Sequence, residues 1–588
     1  MSAGDTALER LADAILIPPF AGTVAPRWVL DALWGGLAGV TLFAPNMAAG
    51  PDALTALTRT LRGAAPDVLV ATDEEGGDVT RVWYDSGSPY PGNAALGAVD
   101  DVALTQRVHA AIGADLAALG INLDLAPCLD VLAAPENPVV GTRSFGASPE
   151  LVARHGAAAV RGLQSAGIAA CAKHFPGHGA TLLDSHAEVA VVPDGLAVVT
   201  GRDLPPFRAA VAAGVRAVMP GHLRVAGLTG SLPASLSAAA VALLRSSLGF
   251  DGVVVTDALE MRAVADLFGI PGAAVRAVAA GNDLLCLGRD VPEDGYLAVR
   301  AALVHAVGAG ELPESRLAQA AERVAGLRAW LAAARRPGTG SVGGIGLAAA
   351  RRALRLTGVL PEPRDPVVVE VEPLVNMAAG EARWGLDAWV PAGTLRVAAV
   401  PNAGTAAPGA AEALKAATGR SLILVVRDAH RSPATRSLVT AVLAERPDTI
   451  LVEMGLPYWQ PPAGAYQAYL ATYGASRANA QAAAELLGLT DLRNQVAGKW
   501  ESIGRKRGKN LLESGKYQLV WEHARGSDRP GRAPTCRCGC GSFRRGACAR
   551  PQRSADGGEE HAPRTARRTS RPPGDRLRRP GHAVGGAR

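Results

Sequence analysis

Eight short apolar runs recur through the first 300 or so residues, each followed by a longer Ala-, Leu- and Arg-rich stretch of helical period. They are ILIPPF (15–20), GVTLFAPN (39–46), VLVATDEE (68–75), INLDLAPC (121–128), GIAACAKHF (167–175), VRAVMPGH (215–222), GVVVTDALEM (252–261) and DLLCLG (283–288). Strands buried on both faces read as continuous apolar runs, and a helix after each one returns the chain for a parallel partner. About eight such units in about 300 residues predict a (β/α)8 TIM-type barrel over 1–335 in preference to an open doubly wound sheet.

Around RRPGTGSVGGIG the composition turns to Gly and Arg, which predicts a linker over 336–359. DPVVVEVE, LRVAAVPN, SLILVVRDA and TILVEMGLP then resume the alternation, predicting a smaller α/β sandwich domain over 360–490. Residues 491–588 hold four of the six lysines in an Arg/Pro/Gly/Ser-rich tract without apolar periodicity, so a disordered basic tail is expected there.

Charge follows the same division. The tail carries 23 Lys and Arg against 9 Asp and Glu, whereas residues 1–490 carry 37 against 45. The calculated pI near 9.0 therefore belongs to the tail, and an acidic body gives no reason to expect a nucleic-acid partner. No uninterrupted apolar run reaches the ~18 residues that span a bilayer, so no membrane partner is expected either. The N-terminus carries Asp5, Glu9 and Asp13 where a secretory signal has basic residues, which predicts a cytoplasmic protein. Cys128, Cys171 and Cys286 stand isolated, as reduced core residues do, and the C-R-C-G-C string of the tail lacks the C-x2-C spacing of a zinc knuckle.

Barrel enzymes carry their chemistry where strands end. The third run places Asp73 there, then a Gly76–Gly77 turn and Arg81, a carboxylate and a guanidinium able to grip adjacent hydroxyls. The fourth run is followed by Asp130, and the loop VVGTRSFG supplies Arg143 and Ser144. The fifth run is the most concentrated: Lys173 and His174 end it, and His178, Asp184, Ser185 and His186 follow within a few residues. In the Asp184-x-His186 pair the carboxylate can orient one imidazole nitrogen and leave the other to exchange a proton near neutral pH. The seventh run ends in Asp257, placed either as a rigidly held nucleophile or as the N-cap of the helix that follows; spacing leaves both open.

KHFPGHGATLLDSH, with DEEGGDVTR, RSFG and GVVVTDALEM in that order, resembles glycoside hydrolase family 3, in its bacterial β-N-acetylglucosaminidase branch, over about residues 10–335. The resemblance implies the barrel and a retaining double displacement. By it, Asp257 is the nucleophile, His186 oriented by Asp184 is the general acid/base, and Asp73, Arg81, Arg143, Lys173, His174 and, more weakly, Asp130 bind the terminal sugar. It implies an exo-acting enzyme with a small carbohydrate substrate, from cell-wall fragments or chitooligosaccharides, and no metal or organic cofactor. Phosphate as well as water is a conceivable acceptor, because a neutral imidazole repels an anion less than a carboxylate does. A family 3 β-glucosidase and an inactive carbohydrate-binding protein are the alternatives. Two positions depart from the family pattern: Asp78 stands where Arg is more frequent, and Ala258 follows Asp257 where a second acid is common.

Overall fold

The computed structural model describes residues 3–184, 188–334, 343–374, 376, 378–380, 385–390, 395–398 and 408–490. The expected basic tail and the 491–588 boundary lie outside these residues. In chain order the strands of the first domain are β1 (Leu16–Ile17), β2 (Gly39–Thr41), β3 (Leu69–Thr72), β4 (Leu123–Asp124), β5 (Ala169–Phe175), β6 (Ala190–Gly195), β7 (Ala217–Pro220), β8 (Leu223–Ala226), β9 (Val253–Val254) and β10 (Leu285–Cys286).

Eight of these ten coincide with the eight apolar runs. Parallel ladders join β2, β3, β4, β5, β7 and β9 in that order, and β1 pairs with β10. The two groups are joined on both sides, by a parallel bridge between Val255 and Leu284 and by the Thr41 N–H donating to the Pro18 carbonyl. The result is a curled parallel sheet of eight strands in barrel order. Its strands are buried on both faces, by side chains of the barrel interior and by the surrounding helices.

The helices begin and end where local chemistry dictates. Pro149–Ser165 starts with Ser148 accepting from the Leu151 N–H and with proline at its first position. Val102–Leu119 starts with Asp101 accepting from the Leu104 N–H and stops at Gly120, whose φ of 83° closes the turn. Helix Arg262–Ala280 is long and apolar enough to cross a membrane by composition. In the fold it is a barrel helix interrupted at Gly269, with Pro271 inside it. The parallel pair β6 and β8 lies outside the barrel sheet and encloses its own small core of Ala190, Val192, Leu223 and Val225.

The second domain is a six-stranded sheet in the order β11 (Arg355–Gly358), β16 (Ala468–Ala471), β15 (Ile450–Glu453), β14 (Leu422–Val426), β12 (Val367–Val371) and β13 (Leu395–Val397), with only β11 antiparallel. Separate apolar cores cover its two faces, one around Val369, Leu424 and Leu451 and the other around Ile423, Val425 and Val452.

One sequence expectation changes here. Within the predicted linker 336–359, residues Ile345–Ala353 form a helix and Arg355–Gly358 the edge strand β11. The helix is fixed by small residues: Ala350 packs on Ala478 and Ala482, and a Cβ on Gly346 would lie 2.0 Å from the Pro89 carbonyl. Ala- and Gly-rich sequence that reads as a spacer is here the means of close backbone approach.

Asp283, at the start of β10, is fully buried and pairs with Arg245, with Arg316 at 2.7 Å and with Arg323 at 3.1 Å. Asp283→Ala would leave three guanidiniums without their counter-ion at the end of the barrel remote from the strand C-termini. A loss of about 3–5 kcal/mol is expected, read as a lowered urea midpoint in the purified protein.

Candidate active site

Loops leaving the C-terminal ends of the strands gather around a cavity of about 590 Å3. Its wall includes Asp73 and Glu75 after β3, Arg143 after β4, Lys173 and His174 at the end of β5, and Asp257 after β9. Arg81, Glu260 and Arg289 add further polar groups, and Phe43, Leu125, Met219 and Met261 supply apolar surface. The residues Ala378 and Gly380 of the second domain complete the lining. An apolar pocket with a few convergent polar groups is the usual form of a small-ligand site.

The polar wall is a ladder of alternating charge. Lys173 Nζ lies 2.6 Å from Asp73 Oδ1 and 2.9 Å from Glu75 Oε1. Arg143 then grips Glu75 with two bonds, Nε to Oε2 at 2.9 Å and Nη2 to Oε1 at 2.7 Å. Burial alone would raise both acids; the Lys173 and Arg81 charges nevertheless hold Asp73 below the usual carboxylate range, and Arg143 and Lys173 hold Glu75 well below it. Burial opposes charge on Lys173 as well, but its two carboxylates keep the ammonium protonated far above neutrality.

Beneath the ladder, Asp130 is fully buried and outside the cavity lining. The sugar-binding role inferred for it is therefore corrected: it is a positioning residue. Its Oδ1 accepts from the backbone N–H groups of His178 and His174 at 2.7 and 3.3 Å, and its Oδ2 lies 2.8 Å from His174 Nδ1. Desolvation would raise this carboxyl, but the two histidines and the N–H donors hold it well below the usual range. An ionised Asp130 accepts, so Nδ1 of His174 carries the proton and Nε2 faces the cavity side, 3.5 Å from Arg143 Nη2. Burial depresses His178 to about 4, leaving it a neutral ring that contacts Thr181 through Nδ1.

The turn after β3 owes its shape to two glycines and one acid. Gly76 and Gly77 take φ of 71° and 67°, and a Cβ on Gly77 would meet Gly92 Cα at 2.4 Å. Glu74 Oε2 accepts from the Thr80 hydroxyl and the N–H groups of Arg81 and Val82. This returns Arg81 to the cavity, where its Nη2 donates to the Ala378 carbonyl at 3.0 Å.

Asp257 is half-buried on the cavity wall, and its Oδ1 accepts from the Ala258 N–H at 2.9 Å. The helix begins only at Arg262, with Met261 at its N-cap, so the capping alternative for Asp257 falls. Thr256 ties the strand end to β10 by accepting from the Cys286 N–H at 3.0 Å. Asp184 stands on the loop beyond β5, outside the cavity lining, next to the exposed Leu182 and Leu183. His186 lies outside the described residues.

Sequence reasoning thus placed Asp73, Arg81, Arg143, Lys173, His174 and Asp257 in one cavity. It passed over Glu75, the hub of the ladder, because the last acid of Asp-Glu-Glu-Gly-Gly carries no periodic signal. It also passed over Glu260, which burial raises to about 7 and whose Oε1 accepts from the Arg289 N–H. Among the described residues, Cys128, Asp130 and His174 gather potential metal-ligating atoms within 4.8 Å of one another. Those atoms are already engaged, Cys128 Sγ and His174 Nδ1 both on Asp130 Oδ2, and the trio serves to hold His174.

Glu75→Gln provides a test of the ladder. A carboxylate whose folded pKa is depressed contributes stability above its unfolded value, ~4.5, and loses it as pH falls toward the folded value. The substitution is expected to lower stability at pH 7 and to flatten the acid limb below about pH 4.5, as followed by circular dichroism across a pH series.

Comparison with known proteins agrees with this geometry. The family model of the glycosyl hydrolase family 3 N terminal domain matches residues 25–327. Beta-hexosaminidase LpqI of Mycobacterium tuberculosis is 40% identical over 282 residues, 46% of this chain and 71% of that protein. A beta-hexosaminidase of Stenotrophomonas maltophilia is 37% identical over 290 residues, 47% of this chain and 85% of its own length. Among solved structures, a glycoside hydrolase family 3 beta-N-acetylglucosaminidase from a Paenibacillus species is similar with a TM-score of 0.72 and 30% identity, over 82% of this chain and 97% of that one.

Proposed function

The chain belongs to glycosyl hydrolase family 3, and we propose that it is an exo-acting β-N-acetylglucosaminidase that hydrolyses the bond to a terminal N-acetylglucosamine and retains its configuration. The observation that carries this reading is the convergence of Asp257 with Asp73, Arg81, Arg143, Lys173 and His174 on one cavity in a chain similar to beta-hexosaminidases.

In the proposed mechanism the ladder fixes the sugar. Asp73 accepts from hydroxyls, Arg81, Arg143 and Lys173 donate to oxygens, and the opposed charges of Asp73, Arg143 and Lys173 keep those three in a single protonation state at neutral pH. Asp257, held by the strand end and the Ala258 N–H, attacks the anomeric carbon. The glycosidic C–O bond breaks as a carboxylate ester forms, and the departing oxygen takes a proton from the His186 imidazolium. Water then attacks the anomeric carbon, giving its proton to the now neutral imidazole, and the bond from that carbon to Asp257 breaks to restore the carboxylate. Imidazole suits both halves, since its unperturbed pKa of ~6.5 populates acid and base forms near neutrality. Asp184 orients the ring in this scheme. Cell-wall fragments and chitooligosaccharides are the proposed natural sources of the terminal sugar.

The test is nitrophenol release from 4-nitrophenyl N-acetyl-β-glucosaminide. Asp257→Ala is expected to lose activity by on the order of 10^4-fold. His186→Ala is expected to lose less on this activated leaving group than on an oligosaccharide, where the acid is worth about 10^2–10^4-fold. A wild type that hydrolyses only the plain glucoside would move the assignment to a β-glucosidase. Products formed in phosphate buffer identify the acceptor, free sugar marking water and N-acetylglucosamine 1-phosphate marking phosphate.

A further inference from the structure

Asp78 stands in the DEEGGDVTR string, and the structure gives its charge a partner. The residue lies on the turn after β3, five residues beyond Asp73 and three before Arg81, and its side chain is only 4% exposed. Asp78 Oδ2 is 2.7 Å from Nη2 of Arg427, in the loop after β14 of the second domain, and accepts at 2.6 Å from the hydroxyl of Thr142. Asp78 Oδ1 accepts at 2.9 Å from the Ala475 N–H, just ahead of the second domain's last described helix. One carboxylate therefore joins four segments, two from the barrel and two from the second domain.

The two barrel segments carry three of the ladder's four charged groups, Asp73, Glu75 and Arg143, and Lys173 of β5 supplies the fourth. The turn after β3 presents Asp73, Glu75 and Arg81, and Thr142 is the immediate neighbour of Arg143. The second-domain partner is itself rigidly delivered. In the Arg427 loop, Glu453 accepts from the N–H groups of Asp428, Ala429 and Gly455, and Asp428 Oδ1 accepts from the Leu456 N–H. Next to Asp78 in the chain, Val79 packs with Val139 on Ala378 and Ala379, and the side chains of the pair are 11% and 4% exposed. An ion pair this enclosed is costly to break and specific in what it accepts, since removal of either partner leaves a buried charge.

We propose that Asp78 is a positioning residue through which the second domain sets the spacing of the two loops that grip the sugar, so that the barrel's binding ladder is complete only with the second domain docked. The proposal rests on the reading of the cavity as the sugar site. It assigns the second domain a part in substrate binding that does not pass through any catalytic group of its own.

Four proteins test it: the full chain as wild type, Asp78→Asn, Arg427→Gln and Thr142→Val, the last removing one barrel-side bond while leaving the domain contact in place. Kinetics use whichever 4-nitrophenyl glycoside the wild type turns over, so a failure of the N-acetylglucosaminidase assignment shows in the wild type and a failure of this proposal shows in the ratios. Competitive inhibition by the corresponding free sugar is measured alongside. The expected result is a five-fold or greater rise in both KM and the sugar's inhibition constant in Asp78→Asn and Arg427→Gln, with kcat falling less, and a smaller rise in the same direction in Thr142→Val. The Asp78→Asn/Arg427→Gln double variant is expected to match the single variants, because each breaks the same link. A lowered melting temperature with KM and the inhibition constant within two-fold of wild type would overturn the proposal, reducing Asp78 to structural glue. If Asp78→Asn does not fold, unchanged sugar affinity in Thr142→Val and Arg427→Gln overturns it equally.

Discussion

Much of the barrel mouth depends on one arrangement of buried charge, in which Asp73, Lys173, Glu75 and Arg143 alternate in sign along a single wall. Each ion taken from water into the protein costs several kcal/mol, and only close opposite neighbours offset that cost. The four groups come from the ends of three different strands. Their mutual need therefore fixes the loops after β3, β4 and β5 relative to one another more firmly than loop packing alone would. A site that binds an uncharged sugar gains from this, because a ladder already neutral in sum leaves donors and acceptors facing the cavity without attracting a counter-ion into it.

The acids around the cavity separate by what they face. Asp73, Glu75 and Asp130 look toward Lys, Arg or His, and all three stay ionised against the pull of burial. Glu74 meets a hydroxyl and two backbone N–H groups, and burial raises it to about 7; burial also raises Asp124, which accepts from one backbone N–H, well above the usual carboxylate range. The first kind lines the cavity or holds a histidine, and the second kind shapes backbone. Sequence shows both as acids near strand ends, and only the spatial partners separate them.

That contrast also marks how much was legible. Eight barrel strands were, because doubly buried parallel strands write themselves as uninterrupted apolar runs. Cavity residues that end such a run, Asp73, Lys173, His174 and Asp257, were legible by position alone. The pair β6 and β8 was not, since half-exposed alternation within a loop region imitates punctuation, as in Val191 and Arg224. The edge strand β11 was hidden because every residue in it is exposed. Asp130 was misread as a ligand because the His174 and His178 groups that it holds lie more than forty residues away in the chain.

The linked fate of the two domains follows from the same electrostatics. Asp78 is nearly buried only because Arg427 and the Ala475 N–H are there to receive it. A barrel without that cover would present the carboxylate to water together with Ala94, Leu132 and Val140, which now pack under Leu456 and Tyr473. Arg there would repel Arg427, whereas Asp completes it. In this chain the carboxylate that meets the second domain thus stands on the same turn that carries Asp73 and Glu75 into the cavity.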